Sequence, residues 1–263
     1  MNSIPERYVE LPAPPGLGQH VACVWMSAPT PTHVLPDACV DVVLDGEHLV
    51  VAGPQTVSRF VPESPGRHRC GVRFRIASAG AILGLPAARL LDQSVPVSEL
   101  WGTWGRRLEE SVSAAGNAQE ALQRLMAGLA DRVLLAGERD LIIRHAALAL
   151  IHGHPLGLAS RFVGLGERQL RRRFDEAVGL GPATLVRVER FQRFLSMAER
   201  AQDVPLARLA ADAGYADQAH LARECRRLSG SSPADLLARG AGAAGEKSVL
   251  FKPDGIESVT LAA

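Results

Sequence analysis

The sequence predicts an α+β fold. Residues 1–137 read as an antiparallel β-rich domain with a few helices, and residues 138–240 as an all-α domain of two tandem helix-turn-helix modules. Residues 241–263 remain as a tail, in which Ser248–Phe251 and Ser258–Leu261 could form a small hairpin. Three observations predict this fold. Short apolar runs punctuated by proline and glycine fill the chain as far as Ile76. A leucine stripe at helical spacing follows them. Beyond it, one short pattern is written twice, 51 residues apart.

The runs His20–Trp25, Cys39–Leu44, His48–Ala52 and Cys70–Ile76 have the length and valine content of strands. Asp45-Gly46, between the second and third, is a hairpin signal, because the tightest hairpin turns need positive φ. Pro86–Leu91 and Val97–Glu110 read as short helices. Ala118–Leu135 reads as a longer one, with Leu122, Leu125, Leu129 and Val133 on one face. That stripe is read as packing on its own domain, and a homodimer contact is the sharper alternative.

Composition narrows the class. With 263 residues and 47% hydrophobic content, the chain can bury two cores. No apolar run approaches membrane-spanning length, and the start lacks the basic and apolar regions of a signal peptide, so a cytoplasmic protein without a membrane partner is expected. Cys23, Cys39, Cys70 and Cys225 have neither the spacing of a disulfide framework nor that of a Cys-x-x-Cys zinc site, and no cofactor or metal is expected. The net charge of +1 is unevenly spread: residues 138–240 hold 16 arginines against 12 acids, and residues 1–137 hold 11 against 13. The positive excess lies where phosphate contact would need it.

The doubled pattern reads Leu165-Gly-Glu-Arg-Gln-Leu170-Arg-Arg-Arg-Phe174, then Gly179 and Pro182. Its second copy reads Ala216-Asp-Gln-Ala-His-Leu221-Ala-Arg-Glu-Cys225, then Gly230 and Pro233. Ala159 and Ala210 are paired upstream at the same offset. Each copy places a short small-residue helix before a glycine break and a second helix whose apolar anchors lie four apart. Gly179 and Gly230 read as left-handed caps, and Pro182 and Pro233 as first-turn prolines. The second helix of such a pair fits a major groove. Its outward residues are Glu167, Arg168, Arg171 and Arg172 in the first copy. In the second they are Asp217, Gln218, His220, Ala222, Arg223 and Arg227, with Arg226 beside them. Arginine pairs bidentately with guanine and glutamine with adenine, so these types suit base reading on double-stranded DNA. One helix bridging the modules would set the two readers about one duplex turn (~34 Å) apart. Arg187, Arg190 and Arg193 recur on that bridge and suit either backbone phosphate or the other domain.

The segment from about Glu138 to Arg239 closely resembles the DNA-binding domain of AraC-type transcriptional regulators. The resemblance rests on Gly214-Tyr215, on Arg223-Glu-Cys225 with cysteine in place of the usual phenylalanine, and on Gly230-Ser-Ser-Pro233. Leu35-Pro-Asp-Ala-Cys-Val-Asp41, Ala52-Gly-Pro-Gln-Thr56 and Gly71-Val-Arg-Phe-Arg75 further resemble an N-terminal domain of one AraC subgroup, with Ala38 where a glycine is usual. The resemblance implies a DNA-binding regulator whose first domain senses a small-molecule effector or another signal, and it names no effector. RNA polymerase and a second copy of the chain are further candidate partners. Activation and repression are both left open.

Trp25, His33, Asp37, Cys39 and Asp41 are the candidate effector-binding residues, since Cys39 and Asp41 would share one face of a strand. The competing hypothesis is enzymatic. A DNA-repair alkyltransferase would use Cys39 or Cys23 as acceptor, which demands an exposed, activated thiolate. Valine and alanine flank both cysteines, which suggests burial instead. No catalytic residue is assigned.

Overall fold

Side-chain alternation decides which side of the sheet meets the helices. The computed structural model describes residues 8–46, 48–64, 69–200 and 204–242, with side chains as far as residue 238. Its strands are β1 (Val9–Pro12), β2 (Val21–Ser27), β3 (Thr32–Val34), β4 (Asp41–Asp45), β5 (His48–Ala52), β6 (Arg59–Val61), β7 (Arg69–Phe74) and β8 (Ser94–Pro96). Six of them form one sheet in the order β1-β2-β7-β4-β5-β8, every neighbouring pair antiparallel. β3 and β6 form a separate two-stranded ribbon.

Val24, Val42, Leu44, Leu49, Val51, Cys70 and Val72 point to one face of the sheet and are buried. Two helices cover that face, α2 (Val97–Ser113) and α3 (Ala118–Leu135). Leu122, Leu125, Leu129 and Val133 are all buried in this same core. Leu125 and Leu129 are fully enclosed, each contributing roughly 1.5–3 kcal/mol. The stripe is therefore occupied by its own sheet and offers no face to a second copy. Asn117 caps α3 by accepting from the Glu120 N–H, which fixes where the helix begins.

The second core is helical. It is built from α4 (Leu141–Ile151), α5 (Leu156–Phe162), α6 (Glu167–Ala177), α7 (Pro182–Arg200), α8 (Leu206–Asp212), α9 (Gln218–Ser229) and α10 (Pro233–Gly242). Phe174, Phe191 and Phe194 fill its centre. Leu35, Ala38, Ile76 and Ala77, from the β-rich part, also belong to this core. A short helix α1 (Ala79–Leu83) and a 3-10 turn (Ala87–Leu90) lean on α6.

Several expectations need correction. The strand read from Cys39 starts at Asp41, because Ala38 is left-handed at φ +60° and breaks the extended chain. Cys39 therefore lies in a turn, its N–H donating to the Asp37 carboxylate, and does not alternate with Asp41. Pro86–Leu91 is a 3-10 turn and not an α-helix. The Ala159–Ala210 pairing is shifted by one. The first helices of the modules start 50 apart, at Leu156 and Leu206, while the second helices start 51 apart, at Glu167 and Gln218. The extra residue lies in the second turn. The tail hairpin expected within Ser248–Leu261 lies outside the described residues.

Candidate DNA-reading surface and effector cleft

Each module hangs on the same internal contacts. Leu170 and Phe174 anchor α6, and Leu221 and Cys225 anchor α9; all four are fully buried. The Ser160 carbonyl accepts from the Leu165 N–H and the Ala210 carbonyl from the Tyr215 N–H, so the two turns close alike. Gly179 (φ +82°) and Gly230 (φ +73°) are left-handed at the ends of α6 and α9, and Pro182 and Pro233 start the next helices. The extra residue in the second turn makes the modules unequal at their helix starts. Asp217 caps α9, accepting from the His220 N–H at 2.6 Å. Gly166, at the corresponding place, offers no side-chain acceptor, and only the Gln169 side chain reaches back to its N–H.

Glu167, Arg168, Arg171 and Arg172 are exposed on the outer side of α6. Arg171 leans on Glu167 (3.3 Å) and Arg172 on Glu176 (3.8 Å), pairs open to solvent and weak enough to be exchanged for a ligand. Arg173 is withdrawn, bound to Asp140 at 2.6 Å. On α9, Gln218, Arg223, Arg226 and Arg227 are exposed and Ala222 is half-buried. The other two named residues have local partners: Asp217 is the cap, and His220 turns its ring edge-on to Tyr215. α7 carries both modules, and its three arginines separate. Arg187 pairs with Glu224 at 2.9 Å, Arg193 donates to the Ile151 carbonyl, and Arg190 lies beside Tyr215.

The other face of the six-stranded sheet, away from α2 and α3, lines a cleft of about 990 Å³ counting its open mouth. Trp25, Asp37, Cys39 and Asp41 line it; His33 does not, and packs its ring at a tilt against Phe60 instead. Four residues that sequence reasoning missed, Gln55, Arg59, Arg69 and Arg73, line it too. Arg73 is the centre of a buried cluster. It holds Asp41 through two hydrogen bonds of 3.0 and 2.9 Å and lies 3.2 Å from Asp37 and 3.7 Å from Glu10. Burial pushes the Asp37 carboxyl above the usual carboxylate range, against the pull of Arg73. The Trp25 indole donates to Asp41 while lying over Gly71, where a Cβ would come within 2.7 Å of the ring. Two polar atoms in the lining, Gln55 Oε1 and Arg59 Nε, are buried without a hydrogen-bond partner. Such atoms cost stability unless a ligand or water satisfies them.

Two segments have one side in this cleft and the other on the helical core. Asp37 and Cys39 line the cleft, while the Pro36 carbonyl accepts from Gln192 of α7 and Leu35 and Ala38 pack in the helical core. Gln55 and Arg59 line the cleft, while the Ser58 N–H donates to the Leu228 carbonyl of α9 at 2.7 Å.

All four cysteines are buried and none is in a disulfide. Burial raises the Cys39 thiol well above its ordinary value, with Asp37 adding to the shift, and pushes Cys70 and Cys225 up to about 12. These are thiols, the opposite of an activated acceptor. Among the described residues, no group of three or more His, Cys, Asp or Glu side chains is placed to hold a metal ion, and no helix is long and apolar enough to cross a membrane.

Residues 158–239 match the family profile described as a helix-turn-helix domain, and residues 9–96 match a domain of unknown function (DUF6597). No curated protein matches the chain. Among solved structures, ToxT from Vibrio cholerae is similar at 10% identity with a TM-score of 0.43, covering 88% of this chain and 98% of that one. ToxT from Vibrio cholerae O395, bound to (E)-4-(8-methylnaphthalen-1-yl)but-3-enoic acid, is similar at 8% identity with a TM-score of 0.44, covering 89% and 99%. Values this low carry no argument about individual residues. The doubled turns, the matched left-handed caps and the family match together identify residues 158–239 as a helix-turn-helix domain built of two like modules.

Proposed function

We propose that the chain is a transcriptional regulator that reads double-stranded DNA with α6 and α9 and answers to a small molecule held in the cleft. One observation carries the DNA reading: two helices with exposed arginine-bearing faces occupy equivalent second places in two modules joined by α7. The effector reading is supported by the unpartnered Gln55 and Arg59 atoms and by the segments 35–39 and 53–59, which touch both cleft and helical core. A ligand that prefers one arrangement of those segments would bias the helices they hold. The raised, buried thiols argue against the alkyltransferase alternative.

Selection from random-sequence duplexes at about 0.15 M salt tests the DNA reading. The expected result is an enriched site with two elements about one turn (~34 Å) apart. Arg168→Ala is then expected to relax preference in one half only. If that variant weakens binding equally on every sequence, Arg168 is a phosphate contact and its assignment as a base reader fails.

A further inference from the structure

Between α7 and α9 lies a second pocket, of about 440 Å³ counting its open side. It is distinct from the cleft in the sheet, and of the side chains expected to read bases His220, whose ring is turned onto Tyr215, lines it. Its lining includes Arg187, Arg190, Tyr215, His220 and Glu224. Tyr215 is only 5% exposed, yet its hydroxyl is buried without a hydrogen-bond partner. The phenol is held there by its own backbone, since its N–H closes the module's turn onto Ala210, and by the His220 ring at 5.3 Å. Burial keeps the phenol protonated, so its hydroxyl is a donor waiting for an acceptor.

The neighbours supply more donors. The Ala216 N–H points at His220 Nδ1 at 3.4 Å, which makes Nδ1 the acceptor and leaves Nε2 to carry the ring's N–H. Arg190 acts electrostatically on the Tyr215 oxygen, and its stem runs about 4 Å from where a Cβ on Gly214 would sit. The acid in the pocket, Glu224, is already neutralised by Arg187 at 2.9 Å. A hydroxyl, an imidazole N–H and a guanidinium therefore line one small space that carries a net positive charge. Such a set suits an anion with several acceptor oxygens.

We propose that this pocket is a binding site for one phosphoryl oxyanion, with Tyr215, Arg190 and His220 as donors. Resting on the DNA-binding reading, the first candidate source is a backbone phosphodiester of the duplex; a free phosphate group has the same chemistry.

The test uses the full chain with two probes, inorganic phosphate and a short duplex, and the variants Tyr215→Phe and Arg190→Gln. Because the hydroxyl has no partner in the free chain, Tyr215→Phe is expected to melt no lower than the parent. A lower melting temperature without phosphate would show that the hydroxyl serves the fold and would overturn the proposal. If the duplex supplies the anion, each variant weakens duplex binding roughly three- to tenfold, and Arg190→Gln, which removes a cation, also lowers the log-log salt slope by about 0.9. If a free phosphoryl compound is the ligand, phosphate raises the melting temperature of the parent and not of the variants, while duplex binding is unchanged. Parent and variants alike in both measurements would remove the site and leave DNA reading intact. A parent that binds no duplex, yet is protected by phosphate through Tyr215, would keep the site and sink the DNA reading.

Discussion

Ala38 shows what a single residue in this chain has to do. It sits at φ +60°, in the region where an L side chain is disfavoured, and its methyl is buried in the helical core. Glycine would relieve about 1 kcal/mol of left-handed strain. It would also loosen the unfolded chain by about 0.4–1 kcal/mol and give up a buried methyl worth about 0.8 kcal/mol. These effects largely offset one another, so Ala38→Gly is expected to lose only about 0.2–0.8 kcal/mol in urea unfolding. Ala38→Val should cost more than about 2 kcal/mol, because a β-branched residue there is a true outlier. Equal stability of the two variants would mean that the turn can rearrange. The sequence marks this position only through the resemblance in which alanine replaces glycine. The cleft's arginines carry a clearer signal. Asp41 and Asp45 are four apart on one strand, as are Arg69 and Arg73 on another, and antiparallel pairing lays Asp41 against Arg73 and Asp45 against Arg69. Matched spacing of opposite charges in two apolar runs is the pattern that reveals such a pair of ladders.

At the scale of elements, legibility follows length and burial. The long helix α3, the part of α2 beyond its break at Gly102 (φ +57°), and the strands β2, β5 and β7 carry enough period to be seen in isolation. β1, β3, β6 and β8 have only three or four residues and no buried alternation of their own, so their pairing depends on neighbours that local pattern does not show. The caps are legible because glycine at a helix end has a physical reason. They also divide in a way that the sequence does not state. A Cβ on Gly230 would meet nothing within 4 Å, so Gly230→Ala is expected to cost only the left-handed strain of about 1 kcal/mol. A Cβ on Gly179 would come within 2.8 Å of Pro54 and 2.9 Å of the Ala87 carbonyl, both in the β-rich part. Gly179→Ala must therefore separate α6 from that part as well, and should cost at least twice as much, about 2 kcal/mol or more. Chemical denaturation of the two variants side by side checks this. Equal losses would mean that the contact at Gly179 yields freely.

For the whole molecule, the two cores are joined more closely than two separate stretches of sequence suggest. Some contacts between them join residues 156 or more positions apart, such as Gln192 with Pro36 and Ser58 with Ser229, which no local pattern can announce. α7 is the common support, and it carries a buried acid in its middle. Glu189 is 8% exposed, and desolvation, only partly offset by Arg193, raises its carboxyl from the ordinary 4.5 to about 7. Between those values the folded chain keeps a proton that the unfolded chain has released, so stability must fall as pH rises through that window. The full effect is of the order of 3 kcal/mol, since each tenfold change in proton affinity is worth about 1.4 kcal/mol. Asp37, raised by the same cause, contributes in the same direction. Glu189→Gln keeps the shape and removes the charge. It should leave stability at pH 4 nearly unchanged and raise it at pH 8 by an amount of the order of 3 kcal/mol. Urea unfolding of the parent and the variant across this range decides the matter. If the two curves stay parallel from pH 4 to pH 8, Glu189 is ionised in the folded chain and α7 holds a buried charge.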